Sequence, residues 1–137
     1  MTIDRINPPG LHATPGYHHV TVVSGGRTAY LAGQCPLDAD GKVVGVGEFG
    51  PQVDQIVANT LAALAAIGAG PEHVVRTVIY VVTDSRAVLA DVWNRFTTSA
   101  LGAAFSTAST LVGVAQLGYE AQRVELDVTA ALPPETA

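Results

Sequence analysis

The sequence predicts an α+β domain with the order β-β-α-β-α-β-β, in which helices cover one face of a mixed sheet, and three observations carry that prediction. Residues 123–130 alternate Arg123, Glu125, Asp127 and Thr129 with Val124, Leu126, Val128 and Ala130, the period of a strand with one polar and one packed face. Residues 51–67 carry Val53, Ile56, Val57, Leu61, Leu64 and Ile67 at helical spacing. A second helical stripe, Val88, Leu89, Val92, Trp93 and Phe96, follows a β-rich run at 73–83.

Each element has its own local warrant. Residues 1–16 contain Pro8, Pro9 and Pro15 without periodicity and read as an irregular arm. The runs 18–23 and 28–32 flank Ser24-Gly25-Gly26-Arg27, a Gly-containing connection that predicts a hairpin. Pro36 ends ladder pairing, and Asp38-Ala39-Asp40-Gly41 has turn chemistry. Pro51 suits the first turn of the first helix and Gly68 its stop, while Asp84-Ser85 offers an N-cap for the second, which ends by Gly102. The run 107–116 is small or apolar on both sides, as expected of a strand deep in a sheet, and residues 131–137 read as a tail.

At 137 residues the chain fits a single domain with its own core. A lone Cys35 excludes an intramolecular disulfide, and the first residues lack the features of a signal peptide, so a cytoplasmic location is expected. No apolar run is long enough to span a bilayer. The net charge of −5, the charged fraction of 14% and the scattered basic residues argue against nucleic acid as a partner. So few charges beside 48% hydrophobic residues imply apolar surface that a second copy of the chain would cover.

Glu125 and Asp127 share a strand face, where repulsion or partial burial would raise one pKa and equip it for proton transfer; a solvated face with Arg123 as ion-pair partner is the alternative. Tyr17 and His18 are candidates to line a cleft, but adjacent strand residues point apart, so His18 and His19 do not suit one metal ion and no metal is expected. Cys35 reads as a small hydrophobe rather than a nucleophile, and Trp93 as a core anchor; no cofactor is implied.

The series Pro15-Gly16-Tyr17, Tyr30-Leu31-Ala32-Gly33-Gln34-Cys35-Pro36-Leu37-Asp38, the helix at 52–67, the strand at 74–83 and Val124-Glu125-Leu126-Asp127 resembles the YjgF/RidA family, also labelled L-PSP endoribonucleases. The resemblance covers nearly the whole chain in order, and Ala-Gly-Gln-x-Pro is its most specific segment. It implies a chorismate-mutase-like fold, a homotrimer with clefts between subunits, and hydrolysis of enamine or imine intermediates released by pyridoxal-phosphate enzymes. By the same resemblance Glu125 handles protons and Tyr17 lines the pocket.

Where the deaminase branch of that family has Pro-Ala-Arg-Ser/Thr, with an arginine that clamps the substrate carboxylate, this chain reads Thr107-Ala108-Ser109-Thr110. Ser109 thus replaces the arginine, Leu111 stands at the pocket cysteine, and the asparagine of the second helix falls near Ala90. A serine hydroxyl does not replace a bidentate guanidinium–carboxylate contact, so the chain is expected in an arginine-lacking branch that acts inefficiently on 2-iminoacids. Arg123 is either a substitute clamp or a neutraliser of Glu125, and backbone donors near Gly33 and Ser109 are expected to hold the ligand. A non-catalytic metabolite-binding or regulatory trimer is the alternative, and the acidic composition disfavours RNA cleavage.

Overall fold

In a computed structural model that describes residues 1–136, six strands and two helices follow the expected order with one strand added at the start. The main sheet has the order β3-β6-β4-β5 and is mixed, built from β3 (Arg27–Tyr30), β4 (Val74–Val82), β5 (Ala108–Val114) and β6 (Val124–Leu132). β4 runs parallel to β5, whereas β6 is antiparallel to both β3 and β4. The parallel pair is possible because a helical crossover separates its two strands. The fold is therefore α+β, with two helices against a mixed sheet.

Helix α1 (Phe49–Ala66) begins two residues before Pro51, which sits in the first turn, where its missing N–H costs nothing. It stops at Gly68, whose φ of 72° lets Gly68 N–H donate to Ala65 O and Ala69 N–H donate to Leu64 O. Helix α2 (Arg86–Thr97) is capped by Ser85, whose hydroxyl accepts from Val88 N–H. The stripes predicted for both helices supply Val53, Ile56, Leu64, Val92 and Phe96 to the core. These pack against Ile79 and Val81 of β4 and Leu126 and Val128 of β6, all fully buried. Between the helices, Arg95 donates both of its forked N–H groups to Asp54 at 2.9 and 2.7 Å, and that hydrogen bonding holds the Asp54 carboxyl below its ordinary range.

The two ends of the chain, the expected hairpin and the place of β5 differ from the sequence reading; β5, expected deep in a sheet, is an edge strand of the order β3-β6-β4-β5. The arm at 1–16 is not wholly irregular: β1 (Thr2–Ile6) pairs antiparallel with β2 (Val20–Ser24) in a separate two-stranded sheet. Arg5 fastens this ribbon by donating to Glu72 O and Val74 O, both at 3.0 Å. The expected hairpin has its turn, with Gly25 and Gly26 at positive φ, but its strands enter different sheets. A Cβ on Gly26 would lie 2.3 Å from Leu132 O, so the chain passes tightly over the end of β6, onto which β3 docks. β2 turns instead to β1 and to the base of β5, where Thr21 Oγ1 accepts from Ala108 N–H at 3.0 Å. Ala131 and Leu132, read as tail, belong to β6 and are buried.

Register decides what each sheet face offers. Thr77, Ile79 and Val81 of β4 face the helices, and so do Ser109, Leu111 and Gly113 opposite them on β5. The other face carries Val78 and Tyr80 of β4, Val112 and Val114 of β5, and Glu125 and Asp127 of β6. Among the described residues no helix covers this second face, and Tyr30 at its β3 edge is 83% exposed.

Candidate functional site

Two clusters hold five of the seven predicted site residues, and they lie on opposite faces of the main sheet. The first is a pocket of about 520 Å³ between β5 and α2. Its floor is Ser109 and Leu111, turned to the helix face by the pleat. One wall is a stripe of α2, Arg86, Ala90 and Asn94, each one turn beyond the last, flanked by Leu89 and Trp93. Pro15 and Tyr17 close the remaining side.

The aromatic residues set the pocket's shape. Tyr17 meets Trp93 edge to face, with centroids 6.1 Å apart, and Trp93 meets Phe105 in the same way at 5.9 Å. Trp93 is therefore both core anchor and pocket wall. The Tyr17 hydroxyl lies 3.3 Å from His12 Nε2, and His19 Nε2–H donates to His12 O at 2.9 Å. His18 turns away from this group: its Nδ1 hydrogen-bonds Ser106 O, and its N–H donates to Thr107 O. It anchors the start of β5 and does not line the pocket. Among the described residues no three His, Cys, Asp or Glu side chains converge as metal ligands.

Ser109 is engaged within the chain. Its Oγ accepts from Thr77 Oγ1 at 2.6 Å and donates toward Thr107 O at 3.1 Å or Phe105 O at 3.3 Å. One hydroxyl proton serves only one of these carbonyls at a time, so little is left to offer a ligand.

The second cluster surrounds Glu125 on the uncovered face. Cys35 Sγ–H and Gln122 Nε2–H both donate to Glu125 Oε1, each at 3.2 Å. Oε2 lies over Gly33, where an added Cβ would come within 2.4 Å of it, so only glycine admits the carboxylate here. Burial, followed by the hydrogen bond and the negative charge of Glu125, pushes the Cys35 thiol up to about 11. The sulfur holds its proton at neutral pH and acts as a donor. Gln122 is buried, and its amide also donates to Val124 O at 3.0 Å while its oxygen accepts from Tyr119 N–H. Asn59 steadies the other side by donating to Cys35 O and Leu37 O.

The sequence reading joined Glu125, Gly33, Ser109, Tyr17 and Arg123 in one site. Within the chain, Glu125 and Gly33 come together, as do Tyr17, Ser109 and Leu111, but the two groups do not meet. Arg123 belongs to neither group; it lines grooves beside Val82 and the turn after β5. The register puts Val82 five residues along β4 from Thr77, the partner of Ser109, and hence about 16 Å away. Arg86, Asn94 and Cys35 were not among the predicted site residues. Arg86, Ala90 and Asn94 are visible in the sequence as a helical stripe, but a polar stripe reads equally as a solvent face until β5 is placed opposite it.

Among the described residues no helix is long and apolar enough to cross a membrane. Residues 10–132 match the family model described as Endoribonuclease L-PSP. Protein DfrA of Myxococcus xanthus is 34% identical over 86 residues, a match that spans 61% of this chain and 65% of that protein, just under two thirds of its length. The crystal structure of YyfB, a Rid-family protein of Yersinia pestis, is 32% identical with a TM-score of 0.85, covering 96% of this chain and 100% of that one. Rv2704 of Mycobacterium tuberculosis, a member of the YjgF/YER057c/UK114 family, shares the fold at 21% identity with a TM-score of 0.62, over 96% of this chain and 100% of its own. With a family model matched from residue 10 to residue 132 and the same fold in these relatives, the chain belongs to the endoribonuclease L-PSP family, the Rid/YjgF/UK114 proteins.

Proposed function

We propose that the two clusters are halves of one site, joined where the uncovered sheet face of one copy meets the pocket of another in a homotrimer, and that this site hydrolyses an enamine or imine metabolite. The observation that carries the reading is the state of Glu125: one oxygen is fixed by two donors while the other lies over Gly33 with no protein donor among the described residues. A carboxylate so held suits general-base work, because its geometry is set and one oxygen is free to take a proton. The apolar residues beside it, Tyr80 and Val112 among them, give a second copy a surface to cover.

In the proposed reaction Glu125 removes a proton from water as the water oxygen bonds to the imine carbon. The carbon–nitrogen π pair moves to nitrogen, which takes the proton back from Glu125 to give a carbinolamine. Glu125 then relays the hydroxyl proton to the nitrogen as the carbon–oxygen double bond forms and the carbon–nitrogen bond breaks, and ammonia and a carbonyl compound leave. Ser109 supplies no charge to a carboxylate bonded directly to the imine carbon, so short 2-iminoacids are poor substrates on this reading.

Imines generated in situ by a flavin amine oxidase test the proposal through the rate of ammonia release. Wild-type protein should accelerate it, and Glu125→Gln should not. Equal rates for the two proteins would overturn the assignment. A non-catalytic metabolite-binding trimer is the second reading, and it draws on the Ser109 hydroxyl being taken up by Thr77 and the backbone. RNA cleavage is disfavoured by the net charge of −5.

A further inference from the structure

The α2 pocket contains a single cationic side chain, Arg86, among walls that are otherwise apolar or neutral. Asp54 engages Arg95, Glu135 engages Arg27, and Arg76 reaches Thr110, but among the described residues no carboxylate or carbonyl accepts from the Arg86 guanidinium. Arg86 is exposed at the first turn of α2, and Ala90, one turn on, leaves the space between it and Asn94 open. Deeper in, Trp93, Leu89 and Leu111 present apolar surface. The pocket therefore has a charged rim and an apolar interior, the arrangement that fixes the orientation of an amphipathic anion.

We propose that Arg86 is the specificity-determining residue of this pocket and that its ligand is a monocarboxylate whose charge is separated from the rest of the molecule by an apolar segment. A planar guanidinium fork matches a carboxylate in geometry. One cation with one neutral amide donor, Asn94, balances one negative charge and falls short of a phosphate dianion. The charge arises from the helix wall, whereas Ser109 lies on the strand floor. This division favours a carboxylate remote from the group seated on Trp93, and it separates this ligand class from short 2-iminoacids, whose carboxylate adjoins the reacting carbon. The inference deepens the proposed function by naming its substrate class, yet its test needs neither Glu125 nor turnover.

Trp93 is the only tryptophan of the chain, so its fluorescence reports occupancy of this pocket directly. The probes are 3-phenylpropionate and its uncharged analogue 3-phenylpropionamide, titrated into the full chain. The carboxylate should change the emission saturably and bind about five- to tenfold more tightly than the amide. Arg86→Gln should bring the carboxylate down to the level of the amide without changing amide binding, and Arg86→Lys should restore part of the difference. Circular dichroism verifies that the variants are folded, as expected for an exposed position. Equal affinity for the two probes, no saturable response to the carboxylate, or unchanged carboxylate binding by Arg86→Gln would overturn the proposal. The readout is equilibrium binding alone, so absence of ammonia release by the wild type would overturn the hydrolytic reading and leave this result standing.

Discussion

Cys35 and Glu125, ninety residues apart in the chain, share a hydrogen bond of 3.2 Å in which the thiol is the donor. The contact ties the reactivity of the only cysteine to the ionisation of the candidate base. With its pKa moved from 9.0 to about 11, Cys35 should react with iodoacetamide at pH 8 about tenfold more slowly than in the unfolded chain, because a smaller thiolate fraction is partly offset by a more nucleophilic thiolate. Glu125→Gln should recover part of that rate, because burial, the largest cause of the shift, remains. The sign for stability follows from the raised value: the contribution is complete below pH 9.0 and declines as pH rises toward about 11. Thermal melting of wild type and Cys35→Ala across that range should show the wild type losing its advantage at the alkaline end.

Gly33→Ala should separate folding from chemistry. The new Cβ would fall 2.4 Å from Glu125 Oε2 and 3.0 Å from Cδ, so the carboxylate must move. Glu125 is only half-buried and can yield, which limits the loss of stability to about 1–2 kcal/mol. Ammonia release should fall to the level of Glu125→Gln, with a melting temperature lowered by a few degrees at most. A variant that retained the wild-type rate would show that the position of Oε2 is immaterial.

Mixed assemblies test whether the site is shared. Glu125→Gln removes the base, and Ala90→Trp fills the pocket, so each variant alone should be inactive. If every site takes Glu125 from one copy and the pocket from another, refolding the two variants together in equal amounts should restore about a quarter of the wild-type rate. No recovery would confine each site to a single chain.

The Ser109 position predicts silence toward 2-iminobutyrate. A charge-assisted hydrogen bond is worth roughly 1.5–3 kcal/mol, and each 1.4 kcal/mol is about tenfold in rate. Wild-type protein should leave the hydrolysis of this imine, supplied by a threonine dehydratase, at background, and Ser109→Arg should raise it at least about tenfold. The substitution also leaves Thr77 without its 2.6 Å partner, at a cost of about 1 kcal/mol. Acceleration by the wild type would show that another group meets the adjacent carboxylate.

What the sequence discloses and what it withholds divide along the range of the interactions. Both helices and strand β6 are legible because burial is periodic within each element, as in Val124, Leu126, Val128 and Ala130. The caps at Ser85 and Gly68 are legible because their chemistry is local. β1 is not, since Thr2–Ile6 is a strand only through pairing with Val20–Ser24 and the grip of Arg5 on the start of β4. Glu125 is legible as a strand carboxylate, but its donors come from Cys35 and Gln122 across a bridge between Gln34 and Leu126 that no local pattern announces. The opposition of Glu125 to Ser109 is a matter of register, which shows only once β4 is known to lie between their strands.

That opposition has a thermodynamic consequence. No rotamer change within a chain carries a side chain through the sheet, so chemistry that needs both halves is governed by mass action. On the proposed reading, specific activity falls on dilution while every chain stays folded, and the apparent affinity for substrate depends on protein concentration. A molecule that bridges the two halves binds only the associated form and stabilises it by RT ln(1 + [L]/Kd), so substrate itself would promote assembly.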